Sequence, residues 1–294
     1  MTLATWEKIA GIIGEKTGRD FSPAPPRIHH GGCINDAFTL SDEHNTWFVK
    51  TNHASQHDMF EAEAEGLEAL FETNTFVVPK PLCTGTLDET TFIIMQRLQL
   101  GRGNQAAWQS AGRQLATLHR RTAESFGWTR ANTIGATPQS NNWQADWVDF
   151  WREQRLGFQL REAARNGYTG TLQRHGDKLL SRFPSLIDHA PRPSLLHGDL
   201  WSGNLAFTDD NQPAVYDPAV YFGDREADLA MTELFGGFNA DFYAAYRTEW
   251  PIDSGYAVRK TLYNLYHILN HLNLFGGGYG AQAEQMMQRL LMEC

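Results

Sequence analysis

Cysteine is scarce in this 294-residue chain: Cys33, Cys83 and Cys294 are odd in number and far apart. That spacing makes neither a disulfide framework nor a metal site, so a reducing cytoplasm is the expected compartment. Long apolar runs are missing too. Stretches such as Phe92-Ile93-Ile94-Met95 are far too short to span a bilayer. The N-terminus carries Glu7 and Lys8 inside an amphipathic pattern of Leu3, Trp6, Ile9 and Ile13, which does not read as a secretion signal. Positive charge is in deficit, with a formal net charge of -9. A nucleic-acid partner needs a cationic face and is not expected, nor is a membrane; a small neutral or cationic substrate suits the balance better. No low-complexity tract or internal repeat is present. What remains is an ordinary composition, 41% apolar and 20% charged, in a chain long enough for two lobes or one large domain.

The most informative stretch runs from Leu195 through His197-Gly198-Asp199-Leu200-Trp201-Ser202-Gly203-Asn204 and is answered by Val215-Tyr216-Asp217. An Asp and an Asn five positions apart, then a second Asp past a hairpin, is the order used in phosphoryl transfer. One Asp accepts the proton of the attacking hydroxyl, while the Asn and the other Asp hold Mg²⁺ on nucleotide phosphates. Leu205-Ala206-Phe207 and Ala214-Val215-Tyr216 read as strands around the turn Asp209-Asp210-Asn211-Gln212-Pro213. If they pair, Asn204 and Asp217 share one open end, and both oxygen ligands face one hard cation. An Asp-rich surface loop is the plainer alternative.

Upstream, the chain reads as β-rich after Pro23, Pro25 and Pro26. Gly31-Gly32-Cys33 sits between two strands, where glycines let backbone N–H groups approach phosphate, or simply make a β-turn. Thr46 to Lys50 is a strand, placing Lys50 where it could contact the α and β phosphates of ATP. Phe60 to Phe71 is a helix with Phe60, Ala64, Leu67 and Phe71 on one face. Of its glutamates, Glu63 lies beside that face, so an ion pair Lys50–Glu63 is predicted, with Glu61 and Glu65 toward water. Phe92 to Met95 is a buried strand running into a hinge, where Gln96 and Leu98 are expected to offer backbone groups to adenine, and Gly101-Arg102-Gly103 reads as a linker. Beyond it helices are expected over Gly112–Arg121, Trp147–Leu160, Glu226–Phe235, Phe242–Trp250 and Val258–Phe275, broken only by the hairpin. The predicted class is α+β and bilobal, like a protein kinase: residues 1–98 as a small nucleotide-binding lobe, 99–294 as a larger helical lobe for catalysis and acceptor binding.

These residues resemble the fructosamine kinase family, within the protein-kinase-like fold shared with aminoglycoside phosphotransferases and choline kinases. The resemblance covers nearly the whole chain. It rests on Gly31-Gly32-Cys33-Ile34-Asn35-Asp36-Ala37, on Met59 to Leu67, and on Asn132 to Gln139 continuing to Arg155-Leu156. Asp217 to Asp228 and Leu262 to His271 carry it further. It implies phosphorylation by ATP and Mg²⁺ of the sugar 3-hydroxyl of a ketoamine, free or on a protein side chain, the product then shedding its amine. Gly198 stands where protein kinases usually have arginine, and Pro218-Ala219 follows Asp217, so no reader of an activation-loop phosphate is apparent.

For the acceptor, Trp201 is expected to flank the sugar or a cationic amine, or else to be core. Tyr263, His267, Asn270 and His271 occupy the face of the last long helix opposite Leu262, Leu265, Leu269 and Leu272. Neutral donors suit a polyhydroxyl ligand, and His271 and Asn270 are the stronger candidates; a satisfied buried network explains them too. His119 reads as a packed helix residue. Cys33 could link two chains under oxidation or be an inert turn residue, the chain otherwise being monomeric. Two other readings remain: a kinase of aminoglycosides, choline or another amino alcohol, which would call for more acidic residues in the acceptor lobe, and a pseudokinase, against which the full set Lys50, Asp199, Asn204 and Asp217 speaks.

Overall fold

The computed structural model describes residues 2–29 and 34–294. Helix α1 (Leu3–Thr17) starts on the Thr2 hydroxyl, which accepts the Thr5 N–H, and stops at Gly18 with φ 67°. It buries Trp6, Ile9, Ala10 and Ile13, while Leu3 at its first turn stays exposed. Strands β1 (Arg27–His29), β2 (Asp36–Ser41) and β3 (Thr46–His53) follow, then α2 (His57–Glu72), β4 (Pro81–Leu87) and β5 (Thr90–Gln96). The five strands form one antiparallel sheet in the order β1-β2-β3-β5-β4. Side chains alternate across it. Phe92, Ile94 and Val49 pack with α1, whereas Ile93 and Met95 pack with Phe60 and Leu67 of α2. Burial on both faces is why the run Phe92 to Met95 is apolar throughout. Lys50, next to Val49 and paired with Ile93, therefore points to the α2 side.

The expected linker at Gly101 is instead strand β6 (Leu100–Gly101), paired with Phe207 and Thr208. Two residues are too few to show a period, and Gly103 is required because a Cβ there would enter the Phe207 ring. Helix α3 (Gln105–His119), capped by Asn104, begins about two turns before the predicted start at Gly112. Gly112 within it allows close packing on Phe242. Next come β7 (Asn132–Ile134) and β8 (Thr137–Gln139), a hairpin turning at Gly135 with φ 62°. The helix expected over Trp147–Leu160 is α4 (Trp147–Phe150), a π-helical stretch Trp151–Leu156 and α5 (Gly157–Arg165) in one run. Then follow α6 (Thr171–Arg182), β9 (Ser194–Leu196), β10 (Leu205–Thr208), β11 (Pro213–Val215) and β12 (Tyr221–Gly223). The pair β10–β11 is the predicted hairpin, with Leu205 opposite Val215; β9 pairs with β12, Leu196 opposite Tyr221. So strands are not confined to that hairpin in this half, as the sequence had suggested.

The chain closes with α7 (Arg225–Leu234), α8 (Ala240–Glu249), α9 (Tyr256–Phe275) and α10 (Tyr279–Glu293). Helix α9 is the axis of the helical half. Every residue from Leu262 to Asn270 is buried, so its polar side chains are interior rather than a second surface. Among the described residues, no helix is long and apolar enough to cross a membrane.

Candidate active site

A cleft of about 1010 Å³ runs from the underside of the sheet, past the β10–β11 hairpin, to α9. Its floor is the loop joining β9 to β10. Asp228 of α7 holds that loop from below, its carboxylate accepting the N–H groups of His197 (2.7 Å) and Gly198 (2.9 Å). Burial would raise the Asp228 carboxyl, but hydrogen bonds from His119 and these amides keep it below the usual carboxylate range. His119, packed inside α3 as expected, contacts Asp228 (3.2 Å) and the Tyr246 hydroxyl (2.8 Å). Gly198 has φ 83°, and a Cβ there would collide with the Ala219 carbonyl. Glycine at this position is a steric demand of the turn. His197 Nε2 meets the Tyr216 carbonyl (3.0 Å) and Nδ1 takes the Asp199 N–H (3.3 Å), which assigns the Nε2–H tautomer. Burial lowers its pKa and keeps that neutral form.

Asp199 then faces the cleft. Burial, with the nearby charge of Asp217, pushes its carboxyl up to about 7. Asn204 donates Nδ2–H to the Asp199 carbonyl (2.9 Å) and to Asp199 Oδ2 (3.2 Å), and approaches the Asp217 carbonyl (3.4 Å). With its nitrogen so engaged, Asn204 has Oδ1 left to present. Asp217 sits at φ 57°, and its side chain is 46% exposed toward the cleft. An amide oxygen beside a carboxylate is a hard-oxygen donor set of the kind Mg²⁺ takes.

Lys50 closes the ring of charges. Its Nζ lies 2.7 Å from Glu63 Oε1 and 2.5 Å from Asp217 Oδ1. The expectation of one partner, Glu63, is corrected to two, with Asp217 the shorter contact. A buried ammonium has three donors to satisfy, and the left-handed backbone at Asp217 turns its carboxylate within reach. Burial opposes the charge on Lys50, but Asp217 and Glu63 outweigh it and raise its pKa. Burial raises that of Glu63 against the pull of Lys50. The outer glutamates Glu61 and Glu65 pair instead with Arg130 (3.5 and 2.7 Å).

Gln96 and Leu98 both line the cleft. The Gln96 N–H is engaged by the Lys80 carbonyl (2.9 Å), so only its carbonyl could meet a base; the Leu98 N–H meets no backbone carbonyl among the described residues. Gly31, Gly32 and Cys33 lie outside the described residues. The chain just after them is held by Asn52, whose amide reaches the Ile34 carbonyl (3.2 Å) and Asn35 Oδ1 (2.7 Å).

At the far end, Trp201 is 37% exposed and folds over Gly203, where a Cβ would strike its ring. His267 and Asn270 are buried, His271 half-buried, and all line the cleft. Asn270 is largely spent on the protein, donating to the Ile134 carbonyl (3.2 Å) and accepting from Gln159 (3.2 Å). His267 differs. Its ring has no hydrogen-bond partner among the described residues, and burial, then the neighbouring His271, pushes its pKa down to about 3. His271 gives Nδ1–H to the His267 carbonyl (2.8 Å), leaving Nε2 as an acceptor. Around it stand Phe235, Phe275 and Tyr279, with ring centres 4.8, 5.6 and 5.2 Å away. Sequence reasoning missed these rings, although Phe275 is one helical turn beyond His271. It also missed Asp228, which carried no signal except its place in the family-like string.

A sequence model of fructosamine kinases matches residues 5–293. The chain is 48% identical to a probable ketoamine kinase of Synechocystis sp., across 98% of this chain and 97% of that one. It is 43% identical to a chloroplastic protein-ribulosamine 3-kinase of Arabidopsis thaliana, across 89% and 81%. A solved candidate fructosamine-3-kinase of Haemophilus somnus superposes with a TM-score of 0.90 at 29% identity, across 97% of both chains. An aminoglycoside phosphotransferase, at 16% identity and a TM-score of 0.65 over 97% of this chain and 98% of that one, shares the kinase-like fold alone. On this match along almost its entire length, the chain belongs to the fructosamine kinase family.

Proposed function

We propose that the protein is an ATP-dependent ketoamine kinase that phosphorylates the sugar 3-hydroxyl of fructosamines, ribulosamines or erythrulosamines, and so initiates deglycation. One observation carries this: Lys50, Glu63, Asp217, Asn204 and Asp199 form an unbroken chain of contacts along one cleft wall. Asp199, raised to about 7 by burial and Asp217, is matched to orient a hydroxyl and take its proton near neutral pH. Lys50 offsets phosphate charge, and Glu63 keeps it in place. Asn204 Oδ1 and the Asp217 carboxylate would hold Mg²⁺, which when bound neutralises charge on the phosphates. Gln96 and Leu98 would meet the adenine, and Gly31, Gly32 and Cys33 the phosphates. Trp201, His267, Asn270 and His271 would flank the sugar; of these, His267 has free ring nitrogens and Asn270 mainly fixes the wall. Residues 1–98 then serve the nucleotide and 99–294 catalysis and the acceptor. All these roles fall on one chain, taken as a monomer, and free Cys83 and Cys294 suit a reducing cytoplasm.

An amino-alcohol or aminoglycoside kinase fits less well. Asp199, Asp217 and Glu63 are the only acidic residues lining the cleft among those described, and the acceptor end is neutral. The test is Mg-ATP with ribulose-, erythrulose- and fructose-lysine, followed by ³¹P NMR. A sugar 3-phosphate is expected. ATP consumption that is indifferent to added ketoamine would refute the proposal.

A further inference from the structure

The backbone just after Asp217 is not held by sheet partners. Ala219 and Val220 are both buried, and their carbonyls are met by side chains of the β7–β8 region. Asn132 Nδ2 donates to the Val220 carbonyl (2.9 Å) and Gln139 Nε2 to that of Ala219 (3.3 Å). Behind them the amides close on one another. Asn132 Oδ1 accepts from Gln139 (2.8 Å) and Asn141 (3.0 Å), Gln139 Oε1 accepts the Tyr266 hydroxyl (2.6 Å), and Asn141 Oδ1 accepts from Arg155 (2.7 Å).

Arg155 anchors the cluster. It is fully buried and has no carboxylate partner among the described residues. Its guanidinium bonds the Ser140 carbonyl (2.6 Å) and lies over the rings of Tyr221 (4.1 Å) and Phe150 (4.6 Å). Tyr221 belongs to the same strand-forming segment, four residues past Asp217. Arg155 lies in the π-helical stretch, buried there together with Trp151, Gln154 and Leu156. A buried cation met only by neutral groups, with its Nε left without a partner among the described residues, is a poor device for stability, where apolar packing does as well. It is a good one for fixing direction.

Fixing is needed there. Asp217 occupies left-handed backbone at φ 57°, a conformation uncommon for L-residues though aspartate and asparagine enter it more readily than most. Here it sets the direction of the carboxylate, which neighbouring contacts must hold. From the other side Ala219 N–H is bound to the His197 carbonyl (2.8 Å), and Gly66 of α2 admits Pro218 and Val220 against the helix that carries Glu63.

We propose that Asn132, Gln139 and Asn141, anchored by Arg155, are positioning residues that hold Asp217 at the angle its role as a metal ligand requires. This rests on the reading of Asp217 given under Proposed function. The experiment is Mn²⁺ titration of the protein–ADP complex, followed by electron paramagnetic resonance, in wild type, Asn132→Ala and Tyr266→Phe. Asn132→Ala should weaken Mn²⁺ binding about tenfold, as loss of a supporting partner of a metal ligand does. The Mg²⁺ concentration giving half-maximal rate should rise by the same factor, with ADP affinity in the absence of metal unchanged. Tyr266→Phe, which removes one hydroxyl at the rim of the cluster and should fold normally, should shift metal affinity the same way by a smaller factor. Wild-type metal affinity in both variants, or in Tyr266→Phe alone should Asn132→Ala not fold, overturns the proposal, even if melting temperatures fall. Wild type that binds no Mn²⁺ with ADP overturns the kinase reading itself, and this one with it.

Discussion

At the scale of single residues, the site depends on what burial does to charge. Lys50, Glu63 and Asp217 share two short contacts; removing Lys50 leaves two carboxylates without their cation, Glu63 among them largely buried, whereas removing either carboxylate leaves Lys50 paired with the other. Asp199 has no cationic partner among the described residues, so burial and Asp217 leave it ready to hold a proton near neutrality. Asp199→Asn preserves shape and the contact with Asn204 but cannot accept a proton. Turnover should fall by about 10²-fold or more with ADP affinity near wild type, measured by steady-state kinetics and calorimetry. Undiminished turnover would remove Asp199 from its role. Residue types at these positions were legible in advance because spacing along the chain carries them. That Lys50 is shared between two carboxylates, and that His267 is unpartnered while Asn270 is not, depends on contacts between residues far apart in sequence.

At the scale of elements, the loop between β9 and β10 is shaped from outside. Its two amides rest on Asp228, its histidine on Tyr216, and its glycine against Ala219. Gly198→Ala adds a methyl both to a positive-φ backbone and to a space already filled by a carbonyl. We expect a loss of about 2 kcal/mol or more in stability, read as a lower urea midpoint, together with loss of most activity. A wild-type midpoint and rate would mean the turn can relax. Amphipathic helices were legible here because burial on one face leaves a period. Strands of two or three residues such as β6, β7 and β12 leave none, and the π-helical stretch is invisible to a search for 3.6-residue spacing.

At the scale of the whole molecule, the interior holds histidines that folding keeps neutral. His119, His197 and His267 are buried, and burial lowers each, His267 to about 3. Around His267 stand His271, Asp228 and Arg155, of which only Asp228 favours its protonation. In the unfolded chain each histidine takes a proton near pH 6.5, which the folded chain refuses. Stability from these groups is therefore level above that value and falls as pH drops below it; for His267, held down to about 3, the loss is on the order of 1 kcal/mol one unit lower. His189 acts oppositely: burial lowers it, but its bond to Asp224 raises it further, so its contribution is present in acid and lost as pH rises. Burial lowers His29 and His271 as well, while Asp199, raised to about 7 by burial and Asp217, acts with His189. With five lowered histidines against these two groups, the urea midpoint should drop between about pH 7.5 and about pH 5.5; a level or rising midpoint would count against neutral buried histidines. By itself the sequence determined the order of roles from Lys50 through Asp199, Asn204 and Asp217, because these follow from residue type and spacing within short stretches. Only the tertiary structure decided which carboxylates Lys50 meets, how Asp228 and the Asn132 cluster hold the loops on either side of Asp217, and which polar groups of α9 stay free, because each requires segments tens to more than a hundred residues apart to be brought into contact.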